Sequence, residues 1–512
     1  MSKNIGSEPL GRFYTGKKPK RRREWRGLKD TWYDYVRWLG YWKTLITFII
    51  KPNNMKGFFR YRWMINYLAL PDFMDRHTEG MRGTQLRMAH QALGLIVTDI
   101  CGMLGQIFKA DPAIGNDKKL NSKIVLFDEN MMSTLMGGFP NLTWLSVEVP
   151  AVYTSSMMSQ DGVSYYVDVT HQYGVPSDVC PMPAAKLGVA LADDFPLIGC
   201  CAVQCNTTCD GSLMGNGIEA RSFKIPTFQL AVPIRHRQES VQEYAAEEVV
   251  NAIHFIEEQT GEKFDWDAFF KSMKRFNAET EEFLEWMEIS KTDYPQVMGV
   301  TLALYRYGVY QAAGGRNQAF LDMDKKLTKM ALDAYKSKEM AAKEYRHRAM
   351  TWGVQAAYYT ALPIWLLNCW GVVTIADMLS MVSTEMVNTE DKHQAMLDLA
   401  YLYENMIMRN RSNGGYETGV ETLWRFCEMF NIDIVIMYVH MGCKSMSGYH
   451  GLFEEEARKH GIHLIWVTHN LMCPEDGTRR DMRTEINRYM RTVFREEPLD
   501  PSLEDFDDSK SW

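Results

Sequence analysis

No wholly apolar stretch of the 512-residue sequence approaches the ~20 residues that a membrane-crossing helix needs. A charged start leading into a short apolar core and a small-residue cleavage site is also missing, so secretion is not expected and a cytoplasmic location is. Positive net charge is absent: at −7 the chain offers no overall attraction for nucleic acid, and none is expected as a partner. No glycine-rich dinucleotide turn or GxxxxGK[ST] phosphate loop closes a strand, and GxSxG and HExxH do not occur. Internal repeats are lacking, as is low complexity outside the acidic end at 501–512. With 46% apolar and 24% charged residues, the composition is that of a folded globular protein rather than a disordered one. At ~150 residues per domain, the length predicts roughly three domains, or two with an extension. Cysteine, by contrast, is plentiful: there are ten. In a reducing compartment such residues are more often metal ligands or reactive thiols than disulfides.

Residues 1–80 form a basic and aromatic extension. Lys17, Lys18, Lys20, Arg21, Arg22, Arg23 and Arg26 precede Trp25, Trp32, Tyr33, Tyr35, Trp38, Tyr41 and Trp42, and an apolar run at 44–50 follows. The pattern predicts a helix that wraps over its own or a neighbouring subunit, or that touches a membrane surface through residues 17–50. From 81 to 261 the pattern becomes α/β. A helical stretch at 75–109 leads to a strand at 124–127 and a helix start at 129–136 closed by Gly137 and Gly138. Strands follow at 197–204 (LIGCCAVQ) and 226–232 (PTFQLAV), then a helix with apolar residues from Val241 to Ile256 that Gly261 stops. Residues 262–350 read as polar and helical, with no strand signal. A second α/β set at 351–500 has strands at 371–376, 432–439 and 462–468, with a helix at 448–459 capped by Gly461. Strand, helix, strand at these lengths is the right-handed crossover of a parallel sheet.

Three cysteines share one kind of position. Cys209 lies in the turn CNTTCDG just past the 197–204 strand, and Cys443 in HMGCKSMSG just past the 432–439 strand. Cys180 follows Gly174, Pro176, Ser177 and Asp178 and opens a helix containing Ala184, Ala185, Leu187 and Val189. Ligands of parallel sheets gather at the carboxyl ends of strands, where helix N-termini stabilise a thiolate. Three such thiolates could hold a [4Fe–4S] cluster and leave one iron open. Cys201, Cys205 and Cys209 form a rival C-x3-C-x3-C, weakened because the strand pattern covers Cys200 and Cys201. Cys200, Cys201, Cys369, Cys427 and Cys101 read as core thiols. His440 and Lys444 flank Cys443 and could bond a cluster or substrate, or be structural; no catalytic residue is assigned.

At these turns the sequence resembles the 2-hydroxyacyl-CoA dehydratases, a family that includes the ATP-dependent benzoyl-CoA reductases. TTCDG at 207–211 and HMGCKSMSG at 440–448 look like the turns around that family's second and third cluster cysteines, and SDVCP at 177–181 like the segment holding the first. TGEKFDWDAFF at 260–270 and IVLFDENMMSTLMGGF at 124–139 are similar to further stretches. The resemblance implies two flavodoxin-like parallel-sheet α/β domains with helical segments between them, here preceded by the N-terminal basic and aromatic helical extension. It further implies one [4Fe–4S] cluster on Cys180, Cys209 and Cys443, a homologous second subunit, and an ATP-dependent iron–sulfur activator protein that injects an electron. The substrate class is an acyl-CoA, either a 2-hydroxyacyl-CoA that is dehydrated through a ketyl radical or an aromatic acyl-CoA that is reduced. A non-catalytic relay or scaffold subunit is the reading from another class. VTHN at 467–470, Cys473-Pro474 and Thr484-Glu485 depart from the family pattern.

Overall fold

The computed structural model describes residues 27–127, 133–158, 163–205, 209–222, 224–233, 238–381, 385–405 and 416–505. The basic run at 17–26, residues 129–132 of the first expected βα turn and the end of the acidic tail lie outside them. Strands β1 (Ile124–Phe127), β2 (Thr143–Leu145), β3 (Cys201–Cys205) and β4 (Thr227–Leu230) pair in parallel in the order β2-β1-β3-β4. Strands β5 (His347–Trp352), β6 (Val372–Asp377), β7 (Ile434–His440) and β8 (His463–His469) repeat that arrangement as β6-β5-β7-β8. Both are four-strand versions of the flavodoxin-like order, whose direction reverses between the first and third strands and leaves a crevice at their carboxyl ends. The short, unbroken apolar runs follow from burial on both faces: every residue of β1, β3 and β6 is buried.

Helices cover these sheets and fill the space before and between them. At the front, α1 (Leu28–Ile49) and α2 (Pro52–Arg60) pack on α3 (Gly83–Ala110). The inner face of α1 is held by a hydrogen-bonded chain: His90 Nε2 donates to Asp34 at 2.9 Å, and the Tyr41 hydroxyl donates to His90 Nδ1 at 2.8 Å. By length and hydropathy α3 could cross a membrane. Here it lies among α1, α2 and a later helix and buries fourteen of its 28 residues. Next come α4 (Pro181–Leu191), α5 (Asp210–Ser222) and α6 (Glu239–Thr260), the last stopped by left-handed Gly261. Helices α7 (Trp266–Ser290) and α8 (Gln318–Ser337) pack together in the middle of the chain. In the second sheet α9 (Lys444–Gly448) and α10 (His450–His460) form the crossover from β7 to β8.

Two strand expectations need correction. β3 begins at Cys201 rather than 197, because Pro196 and left-handed Gly199 keep the chain out of the ladder until Cys200, whose N–H reaches Ile124 O at 2.9 Å. β5 begins inside the stretch read as wholly helical, and its opening residues His347 and Arg348 hid it. The Arg348 guanidinium donates to the carbonyls of Ser290, Thr292 and Phe430 at 2.9–3.0 Å, so a charged side chain is satisfied in a central strand.

His347 ties the start of β5 to two distant segments, with Nδ1 2.7 Å from Asp433 and Nε2 2.9 Å from Glu496. The Asp433 hydrogen bond, helped by Glu496, raises its pKa above the ordinary value against the opposing effect of burial. A raised folded pKa gives stability that is complete below the ordinary histidine value of ~6.5 and lost as pH climbs through the folded one. His347→Gln should therefore lower the urea midpoint at pH near 6, with the gap to wild type closing as pH is raised.

Candidate functional site

The three cysteines occupy equivalent places. Cys180, Cys209 and Cys443 immediately precede α4, α5 and α9, and each carbonyl accepts the first helical hydrogen bond, from Ala184 at 3.3 Å, Leu213 at 2.9 Å and Ser447 at 3.1 Å. Cys209 and Cys443 follow the third strand of their respective sheets, on the side where the strand order reverses. All three are half-buried. The Cys209 sulfur accepts from Ser212 N–H at 3.4 Å and lies 3.4 Å from Ser212 Oγ.

The fold brings these turns against one another through two glycines. A Cβ on Gly211 would lie 3.6 Å from Cys180 Cβ. A Cβ on Gly442 would lie 3.1 Å from Cys180 Cα and 3.0 Å from the His440 ring, closer than side chains normally pack. The segment holding Cys180 thus lies between the first turn of α5 and the β7 turn of the second sheet. Lys444 reaches across the same junction to Asp178 at 2.8 Å, and its ammonium holds the Asp178 carboxyl below the ordinary range. Among the described residues, however, no three His, Cys, Asp or Glu side chains are gathered closely enough to bind a metal ion.

His440 adds a polar group to the junction. Burial, reinforced by His469, pushes its imidazole down to about 3, so it is neutral at ordinary pH. Nδ1 accepts from the N–H groups of Gly442 at 3.4 Å and Leu471 at 3.3 Å, which leaves the proton on Nε2. That buried Nε2–H has no hydrogen-bond partner among the described residues. Most of the other cysteines belong to the core. Cys201 and Cys205 share one face of β3 and are fully buried in the core, which removes the C-x3-C-x3-C trio from a common surface. Cys369, Cys427 and Cys473 are buried, and burial pushes the Cys427 thiol up to about 12.

Some functional features have only a faint signal in the sequence. An apolar cavity of about 90 Å³ opens at the carboxyl end of β1, lined by Phe127, Tyr67, Leu93, Tyr153, Met157 and Asp99, among others. Burial pushes the Asp99 carboxyl up, against the pull of Arg316. The apolar cluster around this cavity also packs on Cys180. A second feature is Lys186, the lone charge in the apolar α4 sequence PMPAAKLGVAL. Its buried ammonium lies 2.7 Å from Glu148, 2.8 Å from Glu219 and 3.1 Å from Asn216 Oδ1. Asn216 Nδ2 in turn donates to Cys205 O at 3.2 Å. Since α4 begins just after Cys180 and α5 just after Cys209, this network ties together the helices that the two cysteines precede.

Residues 135–488 match the family model described as 2-hydroxyglutaryl-CoA dehydratase, D-component, a span that contains all three cysteines. No curated protein matches the chain.

Removing one partner of a buried ion network leaves uncompensated charge and costs about 3–5 kcal/mol, whereas an exposed pair is worth about 0–1 kcal/mol. Lys186→Met should therefore destabilise the protein by about 3–5 kcal/mol in denaturant titration. Lys444→Ala should change stability by less than about 1 kcal/mol.

Proposed function

The chain belongs to the 2-hydroxyglutaryl-CoA dehydratase D-component family, and from that membership we propose that it performs radical dehydration of a 2-hydroxyacyl-CoA to an enoyl-CoA after ATP-driven one-electron activation. In this reading Cys180, Cys209 and Cys443 hold one [4Fe–4S] cluster, a homologous second subunit completes the complex, and an ATP-dependent iron–sulfur activator supplies the electron. The observation that carries it is the convergence of three helix-opening cysteines from two sheets on one junction, with Cys180 against both Gly211 and Gly442.

The donor set fits such a group. Helix N-termini favour the thiolate form that iron requires, and the glycines let the neighbouring segments come close to Cys180. Holding the cluster calls for the three side chains to turn toward one another, since they are not gathered at metal-binding distance. When bound, a cluster on three protein thiolates supplies one-electron chemistry and an open, Lewis-acidic iron.

The chain's own residues then have separate tasks. The unpartnered His440 Nε2–H is a donor for a sulfide or a substrate oxygen brought to the junction. Because the imidazole stays neutral over the working range, it donates a hydrogen bond without delivering a charge. The cavity beside β1 excludes water and receives the acyl chain. Its apolar lining favours a chain of a few carbons without a second charge.

Anaerobically purified protein should be brown and contain about four irons per chain. Cys180→Ala, Cys209→Ala and Cys443→Ala should each abolish the colour and the iron, and Cys427→Ala should retain both. Loss of iron on replacing Cys201 and Cys205, with Cys443 dispensable, would overturn the ligand set. With activator, ATP and a small excess of reductant, the complex should make many enoyl-CoA molecules per electron from a 2-hydroxyacyl-CoA. One dearomatised product for each electron pair from benzoyl-CoA would instead identify a ring reductase, and turnover of neither a relay or scaffold.

A further inference from the structure

The N-terminal helices carry a surface that the dehydratase chemistry does not use. Along α1, Leu28, Trp32, Tyr35, Val36, Leu39, Ile46 and Ile50 are all exposed, Leu28 by 92% and Trp32 by 71%. Their spacing of i, i+4, i+7, i+8, i+11, i+18 and i+22 places them on one face of the helix. The opposite face is anchored inward by Asp34, Tyr41, Leu45 and Phe48, so the stripe is held outward rather than left over from loose packing. Helix α2 adds Met55 and Phe59, the latter 80% exposed. Nine of the twenty large exposed hydrophobic side chains among the described residues fall between 28 and 59. At 1.5 Å per residue, the stripe extends about 33 Å.

The stretch of sequence that carries this face is strongly basic. Residues 17–60 contain thirteen Lys or Arg and three Asp or Glu, a net charge of +10 in a chain whose total is −7. One of those three acids, Asp34, is buried against His90. Lys29, Lys43, Lys51, Lys56 and Arg60 are exposed along α1 and α2. Aromatic and aliphatic side chains on one helical face with lysines and arginines about them are the composition of a helix lying in a bilayer interface. There the apolar side enters the acyl boundary and each basic group near an anionic surface contributes about 1 kcal/mol.

We propose that α1, with the exposed side chains of α2, is a peripheral docking surface for an anionic lipid membrane, to which the sequence at 17–26 adds positive charge. The helix lies parallel to the surface, with Trp32, Leu39 and Ile46 inserted and the basic residues at the headgroups. The proposal is independent of the reaction assigned above. Salt is expected to weaken the attachment, because at about 1 M the screening length falls to about 3 Å.

The test is flotation of the full chain, in whatever complex it purifies, with vesicles of equimolar phosphatidylcholine and phosphatidylglycerol and with vesicles of phosphatidylcholine alone. Binding should be at least tenfold stronger to the anionic vesicles and should fall sharply at high salt. Trp32→Glu with Leu39→Glu, and separately Arg21→Glu with Arg22→Glu and Arg23→Glu, should each weaken it at least tenfold. Trp32 and Leu39 are exposed, so the melting temperature and iron content of that double variant should not change; if it does unfold, it is replaced by Phe59→Glu. Absence of binding to anionic vesicles at low salt overturns the proposal. So does dissociation of a partner subunit by Trp32→Glu with Leu39→Glu while vesicle binding persists, which would assign the stripe to a protein interface.

Discussion

The buried Lys186 ammonium is the point on which the first domain's geometry depends. It has three protons to donate and three acceptors at 2.7–3.1 Å, in Glu148, Glu219 and Asn216. Two carboxylates against one cation leave a surplus negative charge, which neighbouring donors share: Ser146 Oγ to Glu148 at 2.7 Å and Gln204 Nε2 to Glu219 at 3.1 Å. Gln229 extends the network to β4 by donating to Gln204 Oε1 at 2.7 Å. Because every arm ends on a different element, the network ties the segment after β2, strands β3 and β4, and helices α4 and α5 to one point. Apolar side chains of the same volume would pack as well, but without direction. Charged hydrogen bonds are directional, and here they orient the helices that begin at Cys180 and Cys209.

The second constraint is steric, and it joins the two sheets. Gly442 brings the β7 turn within van der Waals distance of the Cys180 backbone, where a methyl group would have no room. The Lys444–Asp178 pair lies over the same contact but is solvent-exposed at both ends, so it steers the approach more than it stabilises it. His440 is held beneath by two backbone N–H groups and by the ring of His469, stacked at 6.0 Å. Ion network, glycine contact and buried imidazole together make a junction that neither domain could form alone.

The two sheets use the same strand order and place a cysteine after the same strand, yet they are buttressed differently. The first relies on the Lys186 network. The second relies on Arg348, which caps three carbonyls, and on His347 between two carboxylates. In both, polar side chains in nominally apolar elements are hydrogen-bonded, which is the condition for tolerating them in a core.

Much of this was legible in the sequence because it is written in local chemistry. Apolar runs marked β1, β6, β7 and β8, helical spacing and Gly261 bounded α6, and turn residues placed Cys180 at a helix start and Cys209 and Cys443 just past their strands. Family resemblance at TTCDG and HMGCKSMSG then pointed to the fold that the two parallel sheets bear out. What local pattern could not supply was anything made by residues distant along the chain. β5 escaped notice because its polar opening residues are paid for by carbonyls some 56 to 82 positions away. The approach of Cys180 to Gly442, the shared proton donors of Lys186 and the cavity at the end of β1 likewise join segments that no periodicity connects. Side-chain type and spacing therefore determined which elements form and where the cysteines stand on them, whereas the distances between those elements, set by buried charge and close backbone contact, were decided only when the chain folded on itself.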